Sequence, residues 1–116
     1  MLSIVVPCYN EEEVLPLTAD KLIAVHQELL KSGAVKEGSE IVFVDDGSRD
    51  TTWKKIEKLA QKCDFIKGVK LSRNVGHQNA LLAGLLSAQG DMVVSIDADL
   101  QDDVTIIAEM VEQCRA

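Results

Sequence analysis

The sequence predicts an α/β fold in which about four parallel strands form one sheet with helices on both faces. Short apolar runs alternate with longer helix-like patterns along the whole chain. The runs are continuously apolar, which indicates strands that are covered on both faces and joined by right-handed crossovers. The 116 residues suffice for one domain or part of one.

Each predicted strand ends in turn-forming residues and is followed by apolar residues at helical spacing. The predicted strands cover residues 3–6, 41–44, 68–71 and 92–96, and the predicted helices cover residues 14–31, 50–62, 77–88 and 104–114. Open α/β sheets bind ligands at the carboxyl ends of their strands. We therefore expect the turns after strands one, two and four to gather at a ligand-binding edge.

The first turn carries aromatic and amide side chains. Pro7 is expected to end the strand because proline donates no hydrogen bond. Tyr9 and Asn10 then lie at the ligand edge, where they can stack on a base or bond its polar rim. The alternative is a capping box in which Asn10 caps the first helix and Glu13 occupies its third position. Later in that helix, His26 is expected on the surface.

The second turn carries two adjacent carboxylates, Asp45 and Asp46. Neighbouring side chains of a strand point to different sides, so one can face the ligand while the other caps or bonds the loop. A carboxylate facing the ligand can accept a hydrogen bond from a uracil N–H or a ribose hydroxyl. Gly47 supports a tight turn, and Ser48 or Asp50 can begin the helix. Capping alone explains these residues as well.

Arg73 follows the third strand and precedes a helix. Its guanidinium suits a phosphate through bidentate hydrogen bonds, and a solvated surface arginine is the alternative. His77, in the first turn of the next helix, is more typical of an exposed polar residue than of a functional one.

Asp97 and Asp99 directly follow the fourth strand. Side chains two apart leave an extended chain on the same side, with Cα atoms roughly 6.6 Å apart. Two carboxylates about 4 Å apart repel by about 1 kcal/mol in water and about four times more inside a protein. A cation is therefore expected, and paired hard oxygen ligands suit Mg²⁺ or Mn²⁺. Capping of the following helix is the alternative.

Composition excludes several classes of protein. The 47% hydrophobic and 27% charged residues are typical of a globular domain, and a net charge of −7 argues against nucleic-acid binding. An anionic ligand would have to be held by a metal, helix N-termini or a few local cations. Cys8, Cys63 and Cys114 form no C-x-x-C pair, which favours reduced thiols in the cytoplasm. Neither a signal peptide nor a membrane span is predicted.

Four motifs in order carry a resemblance to a known family: VVPCYNEEE, IVFVDDGSRDTT, LSRNVGHQNALLAGLLSAQGD and VSIDADLQD. Together they resemble the N-terminal half of family 2 glycosyltransferases of the Rossmann-like GT-A fold, closest to the polyprenyl-phosphate mannose and glucose synthases. The resemblance spans nearly the whole chain. It implies that residues 1–116 are the nucleotide-sugar-binding part of a larger transferase.

The resemblance also implies site residues. Pro7, Tyr9 and Glu11 would surround the base and ribose, and Asp46, more than Asp45, would meet the base. The divalent cation would be bound by Asp97, Asp99 and Gln101. The full predicted nucleotide-binding set is Pro7, Tyr9, Asn10, Glu11, Asp45, Asp46, Arg73 and Asp97.

The implied reaction transfers a sugar from a UDP- or GDP-linked donor with inversion, assisted by Mg²⁺ or Mn²⁺. The acceptor would be a polyprenyl phosphate or another glycan acceptor. The remaining half of the family's domain supplies the acceptor site, any general base and often a membrane anchor. This chain is therefore expected to bind a donor without completing transfer. Residues 102–105 read Asp-Asp-Val-Thr, where the branch usually has Asp-Pro-Pro-Glu.

Three other classes of protein share parts of this pattern. Haloacid-dehalogenase-like phosphatases also place two aspartates after a parallel strand, but on the first strand and with a Thr or Val soon after. Receiver domains group aspartates at strand ends in a different order. A non-catalytic nucleotide-binding module is the third alternative.

Overall fold

The computed structural model describes residues 1–35 and 38–96 of the chain. Within these ranges, strands and helices alternate strictly. The strands are β1 (Leu2–Cys8), β2 (Glu40–Asp45), β3 (Ile66–Lys70) and β4 (Met92–Ser95), and the helices are α1 (Leu15–Lys31), α2 (Thr52–Lys62) and α3 (His77–Ser87). The predicted helix over residues 104–114 lies outside the described part.

The four strands form one parallel sheet in the order β3-β2-β1-β4. Strand β1 is central: Ile4 pairs with Ile41 of β2 on one side and with Val94 of β4 on the other. A helix connects each strand to the next parallel strand, and such connections place helices on the faces of a sheet. The α/β prediction is confirmed.

The sheet divides the hydrophobic core into two layers. Alternate side chains of β1, including Ile4 and Val6, pack with residues of α1 and α2 on one face. On the other face, Val5 of β1 packs with residues of β2 and with Ala80 of α3. Helices therefore cover both faces, as predicted.

Helix α3 contacts the sheet through a glycine. A Cβ atom on Gly84 would lie 2.4 Å from Cγ1 of Val5 and 2.9 Å from Cγ2 of Val44. Both distances are too short for carbon atoms. The backbone of α3 can therefore approach β1 and β2 only because residue 84 has no side chain.

The expectation that Pro7 ends the first strand is wrong, because β1 continues through Pro7 to Cys8. The N–H of Asp46 donates to the carbonyl of Cys8 at 2.8 Å, so the hydrogen-bonding edge of Cys8 faces β2. Consecutive residues of a parallel strand bond to opposite neighbours. The missing N–H of Pro7 therefore faces the β4 side, where the strand β4 has already ended at Ser95.

The expectation that His26 lies on the surface is also wrong. His26 is 1% exposed, and its ring stacks on Phe65 with the two centroids 4.2 Å apart. Its Nε2 atom lies 2.8 Å from the carbonyl oxygen of Ser39, so Nε2 carries the proton and donates. His26 follows Leu22 by four residues and precedes Leu29 by three, which places it on the buried stripe of α1.

Within the described ranges, no helix is long and apolar enough to cross a membrane.

Replacing Gly84 tests the contact between α3 and the sheet. We expect Gly84→Val to lower the free energy of unfolding by about 1–3 kcal/mol, because the added carbons overpack the interface with Val5 and Val44. Urea unfolding measures the change. Gln78→Val, at an exposed position of the same helix, is the control, and equal losses in both variants would contradict the close approach.

Candidate functional site

Three loops meet at the carboxyl edge of the sheet. We call residues 9–14 loop 1, residues 46–51 loop 2 and residues 71–76 loop 3. The bond from the Asp46 N–H to the Cys8 carbonyl joins the start of loop 2 to the end of β1, and the N–H of Leu71 donates to the Asp45 carbonyl at 2.9 Å. The loops after β1, β2 and β3 therefore begin at the same level of the sheet.

Loop 1 is held by side chains that follow β2. Three consecutive backbone N–H groups donate to them: Asn10 to Ser48 Oγ at 2.9 Å, Glu11 to Thr52 Oγ1 at 2.9 Å, and Glu12 to Asp50 Oδ2 at 3.3 Å. Two bonds run in the opposite direction, from the Arg49 N–H to Asn10 Oδ1 at 2.9 Å and from the Thr51 N–H to Glu12 Oε2 at 3.0 Å. We call these five bonds the clamp.

Asn10 takes part in the clamp and does not cap α1. Its φ of 53° is left-handed, a conformation that asparagine tolerates better than most residues. Helix α1 begins only at Leu15, with Val14 at its N-cap and no side-chain capping bond. The capping-box alternative for Asn10 and Glu13 is therefore wrong. Tyr9, just before Asn10, remains 41% exposed at the edge.

The clamp contains two carboxylates whose ionised forms are stabilised. The Thr51 hydroxyl and N–H both donate to Glu12, which lowers the pKa of Glu12. For Asp50, burial acts to raise the pKa, but hydrogen bonds from the Thr52 side chain and backbone and from the Glu12 backbone outweigh burial and lower it. Both groups therefore hold the loops best when they are charged.

Asp46 ties loop 3 to loop 2. Asp46 is 3% exposed, its Oδ1 accepts the Val75 N–H at 2.8 Å, and its Oδ2 accepts Nδ2 of Asn74 at 3.2 Å. Next to it, Gly47 has a φ of 70°, and a Cβ there would lie 2.4 Å from the carbonyl carbon of Arg73. Only glycine allows loops 2 and 3 to pack this closely.

Asp45 is the last residue of β2. It is fully buried, and its Oδ1 accepts the Ser48 N–H at 3.2 Å. Among the described residues, its Oδ2 is buried without a hydrogen-bond partner. Cys8 pairs with Asp45 in the ladder, and burial, followed by the charges of Glu11 and Asp45, raises the pKa of the Cys8 thiol. The thiol therefore stays protonated and is unsuited to act as a nucleophile.

Loop 3 brings a cation and a helix N-terminus to the same edge. Arg73 is exposed, and its backbone packs against Gly47. Gly76, with a φ of 96°, is the N-cap of α3, and His77 is the first residue of that helix. Helix N-termini attract anions through their unpaired N–H groups.

The structure brings most of the predicted nucleotide-binding residues to one edge: Pro7, Tyr9, Asn10, Glu11, Asp45, Asp46 and Arg73. The predicted metal ligands Asp97, Asp99 and Gln101 lie outside the described residues. Within residues 1–35 and 38–96, no group of three or more His, Cys, Asp or Glu side chains is placed to hold a metal ion.

The sequence did not reveal that Ser48, Asp50 and Thr52 bind the backbone of loop 1. A signal was present, since hydroxyl and carboxylate residues occupy alternate positions directly after Gly47. Such residues commonly bond nearby backbone groups. Their bonds reach another loop, loop 1, only because the pairing of β1 with β2 brings the two loops together.

The fold and the loops define a parallel α/β domain whose loops gather at the carboxyl edge of its sheet, where open α/β sheets bind ligands. Residues 3–116 match the family described as Glycosyl transferase family 2, and the chain belongs to this family. The match confirms the resemblance to family 2 glycosyltransferases and places the chain in a family of transferases.

A named relative and two solved structures are similar to the chain. The prophage bactoprenol glucosyl transferase homolog of Escherichia coli (strain K12) is 41% identical over 115 residues, which are 99% of this chain and 36% of the relative. S. aureus TarS 1-349 in complex with UDP shares 28% identity at a TM-score of 0.63, covering 97% of this chain and 32% of that chain. The mannosyltransferase PcManGT from Pyrobaculum calidifontis, in complex with GDP-Man and Mn²⁺, shares 29% identity at a TM-score of 0.66, covering 84% and 27%.

These structural neighbours are GT-A glycosyltransferases, so the fold predicted from the resemblance is confirmed. The chain spans about a third of the length of the curated relatives that it matches.

The clamp predicts a pH-dependent contribution to stability from Asp50. Its folded-state pKa is lowered, so it stabilises the fold above its unfolded pKa, and this contribution is lost as the pH falls through the lowered value. We expect Asp50→Asn to be less stable than wild type at pH 7 and to approach wild type below about pH 4.

Urea unfolding at pH 7 and pH 3 measures this difference. Asp20→Asn, on the exposed side of α1, makes the same change of charge and is the control. A difference of equal size in Asp20→Asn would attribute the effect to net charge and contradict the clamp.

Proposed function

We propose that the protein containing this chain transfers a sugar from a UDP- or GDP-linked donor to a polyprenyl phosphate, with inversion at the anomeric carbon. One observation carries the proposal. In a chain of glycosyltransferase family 2, loops 1, 2 and 3 are locked together at the carboxyl edge of a parallel sheet, and they bring Tyr9, Asp46 and Arg73 to that edge.

The donor base and ribose are assigned to the edge formed by loops 1 and 2. Tyr9 is 41% exposed there and offers an aromatic face for stacking, with Pro7 and Glu11 on either side of it in sequence. Asp46 already accepts two bonds from loop 3. A carboxylate has about four acceptor sites, so Asp46 keeps the capacity to accept a base N–H without releasing loop 3.

The donor diphosphate is assigned to cationic groups near loop 3. Arg73 is exposed, and α3 begins at His77 beside it. The chain as a whole carries a net charge of −7, which repels a diphosphate, so local positive groups have to hold it.

A divalent cation is a further positive group that would hold the diphosphate. The two carboxylates of Asp97 and Asp99 and the amide oxygen of Gln101 form a hard oxygen donor set that fits Mg²⁺ or Mn²⁺. When bound there, the cation would offset the negative charge of the departing nucleoside diphosphate. PcManGT, solved with GDP-Man and Mn²⁺, supports this assignment.

The polyprenyl-phosphate acceptor rests on the relative from Escherichia coli, whose name includes bactoprenol glucosyl transferase. Such an acceptor implies action at the cytoplasmic face of a membrane. The residues that bind the acceptor, and any general base that deprotonates it, are assigned to the part of the longer protein outside this chain.

Thermal unfolding with nucleotide and metal tests the donor and the metal site. We expect UDP or GDP to raise the melting temperature of the wild-type chain in the presence of Mn²⁺ and not in EDTA, because a ligand that binds only the folded state stabilises it. Asp99→Asn should lose this shift because it removes one metal ligand. Asp91→Asn, before β4 and at the opposite edge of the sheet, is the matched control and should keep it.

Acetyl phosphate provides the opposing result. A shift with acetyl phosphate and none with UDP or GDP would favour a phosphoryl-transfer enzyme. If UDP or GDP raises the melting temperature equally with and without Mn²⁺, the result would contradict the metal site. It would favour a non-catalytic nucleotide-binding module.

Replacing Tyr9 tests the stacking surface. Stacking of a base on an aromatic ring contributes about 1–3 kcal/mol, so Tyr9→Ala should weaken UDP or GDP binding by roughly 5- to 150-fold. Tyr9→Phe keeps the ring and should stay within about threefold of wild type. Isothermal titration with Mn²⁺ present measures both, and unchanged affinity in Tyr9→Ala would contradict this placement of the base.

A further inference from the structure

We propose that Thr52 is a positioning residue for the nucleotide site, because its side-chain hydroxyl fixes the backbone of residues 9–11. The role rests on the proposed function, since Tyr9 and Glu11 belong to the proposed donor site. Thr52 itself is fully buried and is not proposed to contact the ligand.

The direction of each hydrogen bond at Thr52 follows from its chemistry. A hydroxyl has one proton, and the ionised carboxylate of Asp50 can only accept, so the Thr52 hydroxyl donates to Asp50 Oδ1. Its lone pairs then remain for the N–H of Glu11, 2.9 Å away. Asp50 therefore orients the hydroxyl, and the hydroxyl holds loop 1.

The Thr52 side chain is itself rigid. Its backbone N–H donates to the same Oδ1 of Asp50 at 2.9 Å, so Asp50 binds both the backbone and the side chain of Thr52. Threonine is β-branched and has few rotamers to lose. Thr52 is also the first residue of α2, which anchors it to the fold.

Residues 9–11 form a short turn whose two ends are fixed. The bond to Thr52 holds the part of the turn between those ends. On one side, the Cys8 carbonyl accepts the Asp46 N–H in the ladder. On the other, the Glu11 carbonyl accepts the N–H groups of Val14 and Leu15, which starts α1. Between them, Asn10 has a left-handed φ of 53°. Together with the bonds that join Asn10 to loop 2, the bond from the Glu11 N–H to Thr52 holds this left-handed turn, which follows Tyr9 directly.

A loop that is ordered before binding loses less conformational entropy when the ligand arrives. Removing the hydroxyl should therefore weaken donor binding without removing any ligand contact. We expect a loss of roughly 3- to 30-fold, the range expected for one partly buried hydrogen bond and a partly mobile loop.

Three variants of the 116-residue chain test the role. Thr52→Val keeps the shape of the side chain and removes the hydroxyl, whereas Thr52→Ser keeps the hydroxyl. Ser39→Ala is the matched control, because Ser39 Oγ accepts the Leu2 N–H at 2.9 Å at the opposite edge of the sheet. Amide hydrogen exchange of residues 10–12 in the unliganded chain and the affinity for UDP or GDP with Mn²⁺ are measured for each, together with global stability.

Thr52→Val should lose protection at the Glu11 amide and bind the nucleotide more weakly, while Thr52→Ser should restore both. Ser39→Ala should lose stability but keep loop 1 protection and affinity. Wild-type exchange at residues 10–12 in Thr52→Val, or an equal loss of affinity in Ser39→Ala, would overturn the role. If the wild-type chain binds neither UDP nor GDP, the proposed donor is contradicted. The hydrogen-exchange measurement still tests the role of Thr52, because it uses the unliganded chain.

Discussion

The ladder between β1 and β2 is the constraint on which the candidate site depends. It runs in parallel from the pair of Ser3 with Glu40 to the pair of Cys8 with Asp45, and the bond from Asp46 to Cys8 extends it past the last pair. Paired strands lie about 4.8 Å apart, so the loops that leave them start one strand spacing from each other. At that spacing, a hydroxyl or carboxylate of one loop reaches the backbone of the other.

The opposite edge of the sheet uses polar side chains for a different purpose. Glu40 Oε2 accepts the Ser3 hydroxyl at 2.6 Å and the Gln89 N–H at 2.7 Å, and Ser3 Oγ accepts the Gly90 N–H at 2.8 Å. These groups satisfy one another and join the entry to β4 to β1 and β2. At the carboxyl edge, by contrast, Tyr9 and Arg73 lie on loops whose backbones are bonded to neighbouring loops, and their side chains are exposed.

The strands and helices could be predicted because apolar runs bounded by turn residues are a strong local signal. The three errors arose where a tertiary contact outweighs a local preference. Pro7 stays in β1 because its missing donor faces the β4 side beyond Ser95, the last residue of that strand. His26 is buried because Phe65 and the Ser39 carbonyl accommodate its ring, and Asn10 is left-handed because loop 2 binds it. None of these partners is adjacent in sequence.

The sequence predicted which polar residues lie at the carboxyl edge, but not the hydrogen bonds that they form with one another's loops. Carboxylates at the end of β2 were expected to meet a ligand or to bond a loop, and Asp46 bonds loop 3 with both oxygens. Asn10 was expected near a base, which stays a prediction, and its Oδ1 also accepts a bond from the Arg49 N–H. Such assignments depend on which loops become neighbours, and that depends on the strand order β3-β2-β1-β4, which the alternation of elements does not determine.

The central place of β1 has a consequence for biosynthesis. Its partner on one side, β2, leaves the ribosome soon after it, whereas Leu2 pairs on the other side with Met92. At roughly 5–20 residues per second, the stretch between the end of β3 and the start of β4 takes about one to four seconds to translate. A sheet formed from β1, β2 and β3 during that interval would have β1 as an unpaired edge strand, which other extended segments can join.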